Sequence, residues 1–209
     1  FLFYDDLELL NKITLKGEIF KIPFILKFHR NLLDKQNNMM INSKKLKIKF
    51  NNKTNTNNKI IIGLNDLSIF NMKLITQYEI EDNNLSFQSL KSQLSNNKLE
   101  YSGKVNFYPF DLLLSINLQK INLKKLFNNN SILFELFKSG KLFHNNLSSN
   151  VSLKTPNITN SKLLKDLDIN FNIENGKINL DKSNILIDKI GLLTLSQSKL
   201  ILKDNNLLF

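Results

Sequence analysis

The sequence predicts a mostly β fold, an elongated and curved antiparallel sheet with one or two short helices. Apolar and polar residues alternate in short runs such as residues 46–50 and 167–173, asparagine-rich turn signals separate the runs, and one hairpin-sized unit occurs twice. A period of two gives a strand one apolar and one polar face, and one-sided sheets are usually antiparallel. We therefore expect an antiparallel sheet with a single apolar face.

The repeated unit predicts two hairpins. Residues 17–28 (GEIFKIPFILKF) and 103–114 (GKVNFYPFDLLL) share a glycine, a charged residue, Ile or Val, and then Pro-Phe followed by alternating apolar residues. Proline has a fixed φ and no N–H for a ladder hydrogen bond in a central strand. Each copy therefore predicts a strand, a proline corner or short turn, and a second strand, and residues 175–180 (NGKINL) resemble a third, degenerate start of the unit.

The remaining elements follow from the same patterns. Alternation places strands at residues 13–19, 24–28, 46–50, 112–118, 167–173, 178–180, 185–187, 193–195 and 200–202. Apolar residues spaced three and four apart predict one or two short helices between Leu123 and Phe143. We further predict a helical turn at 161–165, a polar loop at 51–58, and turns at 174–176 and 204–206.

The length and composition predict one continuous region. The chain has 209 residues, of which 42% are hydrophobic, enough for a core. It shows no long linker, so we expect one β-repeat region over 1–209, with possible sub-repeats at 13–118 and 121–209. Because it begins with Phe1 and ends with Phe209 within the pattern, we expect it to be part of a longer polypeptide.

The charge pattern argues against a nucleic-acid partner. The formal charge of +11 comes almost wholly from lysine, whereas Arg30 is the only arginine, and arginine is the preferred residue for bidentate phosphate and guanine contacts. Residues 44–50 (KKLKIKF) are the best candidate, since lysines line one face of the predicted strand. Phe50, however, falls on the apolar face, where it cannot form a stacking platform beside the lysines.

Motifs for catalysis or metal binding are absent from the sequence. His29 and His144 lie outside any ligand-spaced cluster, the chain has no cysteine, and no Gly-Lys pair completes a phosphate-binding loop. The acidic clusters are dispersed among turn residues. We therefore expect neither an enzyme nor a cofactor.

The repeated unit, G-[EK]-[IV]-x-x-x-P-F-x-L-x-[FL], resembles segments of the AsmA-like family, the relatives of TamB and YhdP. The final third, with strands at 167–180, 183–187 and 193–202 around short glycine turns, resembles the C-terminal region of that family. The chain lacks the N-terminal membrane anchor of the family, which we attribute to truncation.

The resemblance implies a β-groove, a long bent sheet whose concave face is apolar. It further implies a periplasmic, non-enzymatic segment of a Gram-negative bacterium, held to the inner membrane by a missing N-terminal segment. Such a segment would shield acyl chains, conduct phospholipid between the inner and outer membranes, and support outer-membrane assembly. One alternative is a structural or adhesive β-repeat module that binds other proteins, and another is a lysine-rich nucleic-acid binder.

Alternation also predicts which side chains line the groove, together with some that form ordinary core under the short helices. We expect Lys47 and Lys49 near its rim, where they would attract anionic headgroups. The predicted groove residues are Phe24, Leu26, Phe28, Leu46, Ile48, Phe50, Leu112, Leu114, Ile116, Ile169, Phe171 and Ile173.

Overall fold

The structure, a computed structural model, describes residues 2–5, 10–19, 21–126, 139–203 and 206–208. Strands hold 70% of the residues and helices 2%, and the strands pair mostly antiparallel. The predicted fold class, mostly β with few helices, is therefore confirmed. The chain forms two compact units, Phe1–Glu100 and Tyr101–Phe209. The boundary between them falls inside a strand, and the sub-repeats 13–118 and 121–209 stay a prediction.

The first unit is an antiparallel meander. Each strand from β1 to β7 pairs with the next one along the chain, and both β8 and β9 pair with β7. The strands are β1 (Leu2–Asp5), β2 (Leu10–Ile19), β3 (Ile22–Asn31), β4 (Gln36–Ser43), β5 (Ile48–Asn57), β6 (Ile60–Ile69), β7 (Met72–Glu81), β8 (Asn84–Ser89), β9 (Ser92–Leu94) and the start of β10 (Asn97–Phe107).

The prediction of a polar loop at 51–58 was wrong. Residues 51–57 continue β5, which pairs with β4 on one side and with β6 on the other. Strand pairing is made by backbone groups, so a run of asparagine, threonine and lysine can complete a sheet whose neighbouring strands offer full ladders. The Asn37 side chain also donates a hydrogen bond to Thr54 Oγ1 across the β4–β5 pair (3.4 Å).

The two copies of the Pro-Phe unit form hairpins with different turn positions. In the first copy the turn falls between β2 and β3, and Pro23 is already the second residue of β3. In the second copy Tyr108 and Pro109 are themselves the turn between β10 and β11. Both copies therefore form the predicted strand, short turn and second strand, but only Pro109 lies in the turn, whereas Pro23 lies within β3. The shift is two residues, so the apolar side chains keep their face.

The second unit combines antiparallel and parallel pairs. β11 pairs with β13 in parallel, and β12 pairs with β14 in parallel, whereas β13, β15, β16, β17, β18, β19 and β20 form antiparallel pairs. Its elements after β10 are β11 (Phe110–Leu118), β12 (Ile121–Asn122), α1 (Leu123–Leu126), a 3-10 helix (Lys141–Phe143), β13 (Ser148–Thr155), β14 (Ile158–Thr159), β15 (Leu164–Glu174), β16 (Lys177–Asn179), β17 (Asn184–Ile187), β18 (Gly191–Thr194), β19 (Lys199–Lys203) and β20 (Asn206–Leu208).

Short helical segments lie within the predicted range 123–143, namely α1 and the 3-10 helix. The rest of that range, residues 127–138, lies outside the described residues, as does the predicted turn at 204–205. The helical turn predicted at 161–165 was wrong. Ser161 Oγ instead accepts a hydrogen bond from the Leu164 backbone N–H (2.8 Å), and β15 begins at Leu164. The predicted Asn175-Gly176 turn is confirmed, with both residues at positive φ.

Candidate functional site

An unbroken row of apolar side chains crosses six strands of the first unit. Each member lies directly opposite the next one, where Cβ atoms are about 4.5–5.5 Å apart and the side chains are in contact. At about 4.8 Å per strand the row is about 24 Å long. We call it the apolar stripe, and it consists of Leu15, Leu26, Ile41, Phe50, Leu67 and Leu74.

Among the described residues of the first unit, none forms a second layer over this stripe. Five of its members are half-buried by their neighbours within the sheet, and Leu15 is 53% exposed. Among the residues that the structure describes in the first unit, no apolar side chain is fully buried. The sheet of the first unit has a single layer, so it cannot cover its own apolar face. The face that carries the stripe is therefore open.

Five of the predicted groove residues lie on this face. Leu26 and Phe50 belong to the stripe, Phe24 and Phe28 flank Leu26 on β3, and Ile48 precedes Phe50 on β5. Leu46 differs, because it lies in the turn at 44–47 and not in a strand. Lys47 and Lys49, which we expected near the rim of the groove, do not lie together. Lys47 lies in the same turn as Leu46, and Lys49 projects from the opposite face of β5.

The sequence reasoning missed four members of the stripe. Leu74 sits in a mostly alternating run, so the same signal would have found it, whereas Ile41 ends the unbroken apolar run 39–41, which conceals the period of two. Leu15 was recognised as a strand residue but was not assigned to the groove. Leu67 was harder to find, because β6 begins with the unbroken apolar run 60–62, which conceals the period of two.

A polar row bounds the apolar stripe on one side. Asn52, Asn65 and Thr76 lie opposite one another on β5, β6 and β7. The Tyr78 hydroxyl donates a hydrogen bond to Asn52 Oδ1 (2.9 Å), and Asn65 Oδ1 is buried without a partner among the described residues. The open apolar surface therefore narrows on β5 to β7.

The opposite face of β2 to β5 is basic. It carries Lys12, Lys16, Lys27, Lys49 and Lys53 but only one carboxylate, Glu18. Eleven of the 29 Lys and Arg residues but only two of the 18 Asp and Glu residues lie in 11–57, so this stretch carries most of the net charge. Lys53 on this face also lines a cavity. The cavity has a volume of about 720 Å³, and its lining includes His29, Asn38, Lys53, Gln77, Ile62, Leu64 and Leu90.

The position of this cavity departs from the expectation of an apolar concave face. Asn38, Lys53, Leu64 and Gln77 lie opposite one another in the register, on the face that does not carry the apolar stripe. The stripe is therefore an open surface on the other side of the sheet. The cavity lining mixes Lys53 and amide side chains with the apolar side chains of Ile62, Leu64 and Leu90.

The second unit brings the other six predicted residues onto one face. Leu114 lies opposite Val151, which lies opposite Phe171, and Ile116 is connected in the same way through Leu153 to Ile169. Val151 and Leu153 were missed, because the alternation in residues 148–155 is mostly of serine, asparagine and lysine. The remaining predicted residues, Leu112 and Ile173, both lie opposite Ser149.

Part of this second face is ordinary core. Ile173, Ile178 and Leu180 form a buried cluster against which the side chains of Leu142, Phe143 and Leu147 pack, with Ile169 and Phe171 at its border. Residues 142–147, which precede the parallel strand β13, supply this cover. Ile173, which is 5% exposed, is therefore not open to a ligand.

The described residues contain no cluster of three or more His, Cys, Asp or Glu side chains that could hold a metal ion. His144 Nδ1 accepts a hydrogen bond from the Asn146 backbone N–H (3.1 Å), so this histidine stabilises a turn. His29 lines the cavity that also contains Lys53. Within the described ranges no helix is long and apolar enough to cross a membrane.

Comparison of the chain with protein-family models, with curated proteins and with solved structures finds no match.

Proposed function

We propose that the chain is a non-enzymatic segment that binds the acyl chains of phospholipids on its apolar stripe. The observation that carries the proposal is a row of apolar side chains across six strands, over which the described residues of the first unit place no second layer. Soluble proteins rarely leave a large contiguous apolar patch open, and such patches mark binding surfaces.

The dimensions and chemistry of the stripe suit an acyl chain. Its length of about 24 Å exceeds the roughly 15 Å that half of a bilayer's hydrocarbon core measures. Its members are aliphatic except for Phe50, and they offer no hydrogen bonds, so they match a ligand that needs none. Covering each 100 Å² of this surface contributes about 2.5 kcal/mol.

The resemblance to the AsmA-like family supplies the proposed cellular setting. In that setting the segment stands in the periplasm, is anchored to the inner membrane by a part of the polypeptide that precedes it, and conducts phospholipid toward the outer membrane. The meander of the first unit supports such a role, because each added hairpin lengthens an open apolar face without requiring a larger core.

Two adjacent residues of β3 test the proposal. Leu26 belongs to the stripe, whereas Ile25, its neighbour in the chain and an isomer of similar volume, projects from the opposite face and is 37% exposed. A carboxylate on the stripe would have to lose its hydration when an acyl chain covers it, which is costly. We therefore expect Leu26→Asp to reduce lipid binding severalfold and Ile25→Asp to leave it unchanged.

The measurement is native mass spectrometry of each variant after incubation with phosphatidylethanolamine vesicles, with circular dichroism to verify the fold. Equal loading of wild type, Leu26→Asp and Ile25→Asp would contradict the assignment of the lipid to this face. Absence of lipid from the folded wild-type chain would contradict the proposed function itself, and would favour a protein-binding module.

A further inference from the structure

Three turns of the first unit meet at one end of its strands and together carry four lysines. They are the turns between β2 and β3, between β4 and β5, and between β6 and β7. Lys45 Nζ donates a hydrogen bond to the Lys21 carbonyl (3.2 Å), and the Phe70 N–H donates one to the Lys47 carbonyl (3.4 Å), so each turn contacts the next. We call this row the lysine rim, and it consists of Lys21, Lys44, Lys45, Lys47 and Phe70.

The lysine rim is exposed and its charge is not compensated. All four lysines are exposed, and none of them forms an ion pair among the described residues. The described residues of the three turns include no carboxylate, and Glu18, near the end of β2, is the nearest acidic residue in sequence. Four ammonium groups along one row therefore present a local concentration of positive charge.

The opposite end of the same strands provides an internal comparison. Its turns, at 32–35, 58–59 and 82–83, contain Lys35 and Lys59 but also Asp34 and Asp82, so their formal charges cancel. This end also has an exposed apolar side chain, Leu33, which is 64% exposed. The two ends thus differ in net charge and not in the presence of an apolar side chain.

Besides the uncompensated charge of the lysines, the exposed side chain of Phe70 also points to a ligand. Its side chain is 72% exposed, and its backbone has a φ of +50°, a conformation that bulky L-residues rarely adopt. Asparagine or glycine would be easier to accommodate at this position. An exposed aromatic ring in a strained turn beside lysines is typical of a residue that enters the interfacial region of a bilayer.

We propose that the lysine rim docks the chain onto a bilayer surface that contains anionic phospholipid. The lysines lie against the headgroup phosphates and Phe70 inserts among the headgroups. Lysine suits this role because its ammonium group interacts with phosphate as a point charge and needs no fixed geometry. Nucleic acid is a poorer match, because stacking platforms interleave several aromatic residues with cations, whereas the described residues of the three turns include one aromatic residue and no arginine.

Docking by the rim does not depend on acyl-chain binding, although it would direct one end of the apolar face toward the bilayer. Ile48, Ile69 and Met72, which lie opposite one another on that face, are the strand residues next to the rim turns. Lipid that leaves the bilayer would therefore meet the apolar face at the end where the chain is held.

Vesicle co-sedimentation tests the proposal with a matched pair of variants. Lys44→Gln/Lys45→Gln removes two charges from the rim, and Lys35→Gln/Lys59→Gln removes two from the opposite end. Each lysine near an anionic surface raises the membrane partition coefficient about fivefold. The rim variant should therefore bind phosphatidylglycerol-containing vesicles about 25-fold more weakly than wild type, and the control variant should lose much less of its vesicle binding. Phosphatidylcholine vesicles should bind all three proteins weakly.

Phe70→Asn tests the aromatic residue without endangering the fold, since asparagine tolerates positive φ. It should lower vesicle binding, whereas Leu33→Asn at the opposite end should not. The proposal would be overturned if the two lysine variants lost vesicle binding equally, or if Phe70→Asn bound vesicles as well as wild type does. It would also be overturned if wild type bound only neutral vesicles. Binding of duplex DNA, at the same salt concentration, that exceeds vesicle binding and is lost in the rim variant would overturn it too. Native mass spectrometry of bound lipid separates this outcome from acyl-chain binding, which the rim variants leave intact.

Discussion

Tyr78 lies across Gly63, its direct partner on the neighbouring strand of the first unit. A Cβ atom built on Gly63 would overlap the phenol ring, with the Tyr78 hydroxyl oxygen 2.5 Å away. The hydroxyl reaches beyond β6 and donates a hydrogen bond to Asn52 Oδ1 on β5 (2.9 Å). One aromatic side chain thus connects three strands, and the absence of a side chain at position 63 provides the space.

Gly63→Ala should destabilise the first unit by about 1–3 kcal/mol, because the added methyl group forces the Tyr78 ring out of its position. Chemical denaturation measures the change in the free energy of unfolding. In a Tyr78→Ser background the same substitution should cost much less, since the overlapping ring is gone. An identical cost in both backgrounds would show that the ring does not determine the need for glycine.

Tyr78→Phe should lower the free energy of unfolding by about 0.5–1.5 kcal/mol, the usual net value of one hydrogen bond. The substitution leaves the ring over Gly63 and removes only the donor to Asn52. Tyr108, which is 83% exposed in a turn, provides the control, and Tyr108→Phe should have almost no effect. If the two variants had equal stability in the same denaturation experiment, the hydrogen bond would not contribute.

Ile178→Ala should be the most costly of these substitutions, at about 2–5 kcal/mol, because it leaves a cavity in the core of the second unit. Ile178 is 0% exposed, whereas Ile190 is 76% exposed, so Ile190→Ala should change stability little. Thermal or chemical unfolding measures both. A small loss for Ile178→Ala would mean that the cover provided by Leu142 and Phe143 does not form a packed core.

The local sequence predicted those strands that carry an alternating apolar pattern and failed where that pattern is absent. The alternating runs at 24–28 and 167–173 lie in strands because the apolar residues there repeat with a period of two. Residues 51–57 were missed because no apolar residue marks the strand, and its formation depends on two neighbours. The error at 161–165 arose because serine can cap a helix or accept a hydrogen bond in a turn, and the local sequence is similar in both cases.

The sequence by itself determined which side chains share a face. Leu26 and Phe28 are on one side of β3, and Phe171 and Ile173 are on one side of β15, because successive side chains of any strand point to opposite sides whatever lies next to it. Only the tertiary structure decided which of these faces is covered. The connection that precedes β13 places Leu142, Phe143 and Leu147 against the cluster that contains Ile173, whereas the meander of the first unit places nothing over the stripe that contains Leu26. Cover depends on where a distant part of the chain returns, and alternation within a strand carries no information about that return.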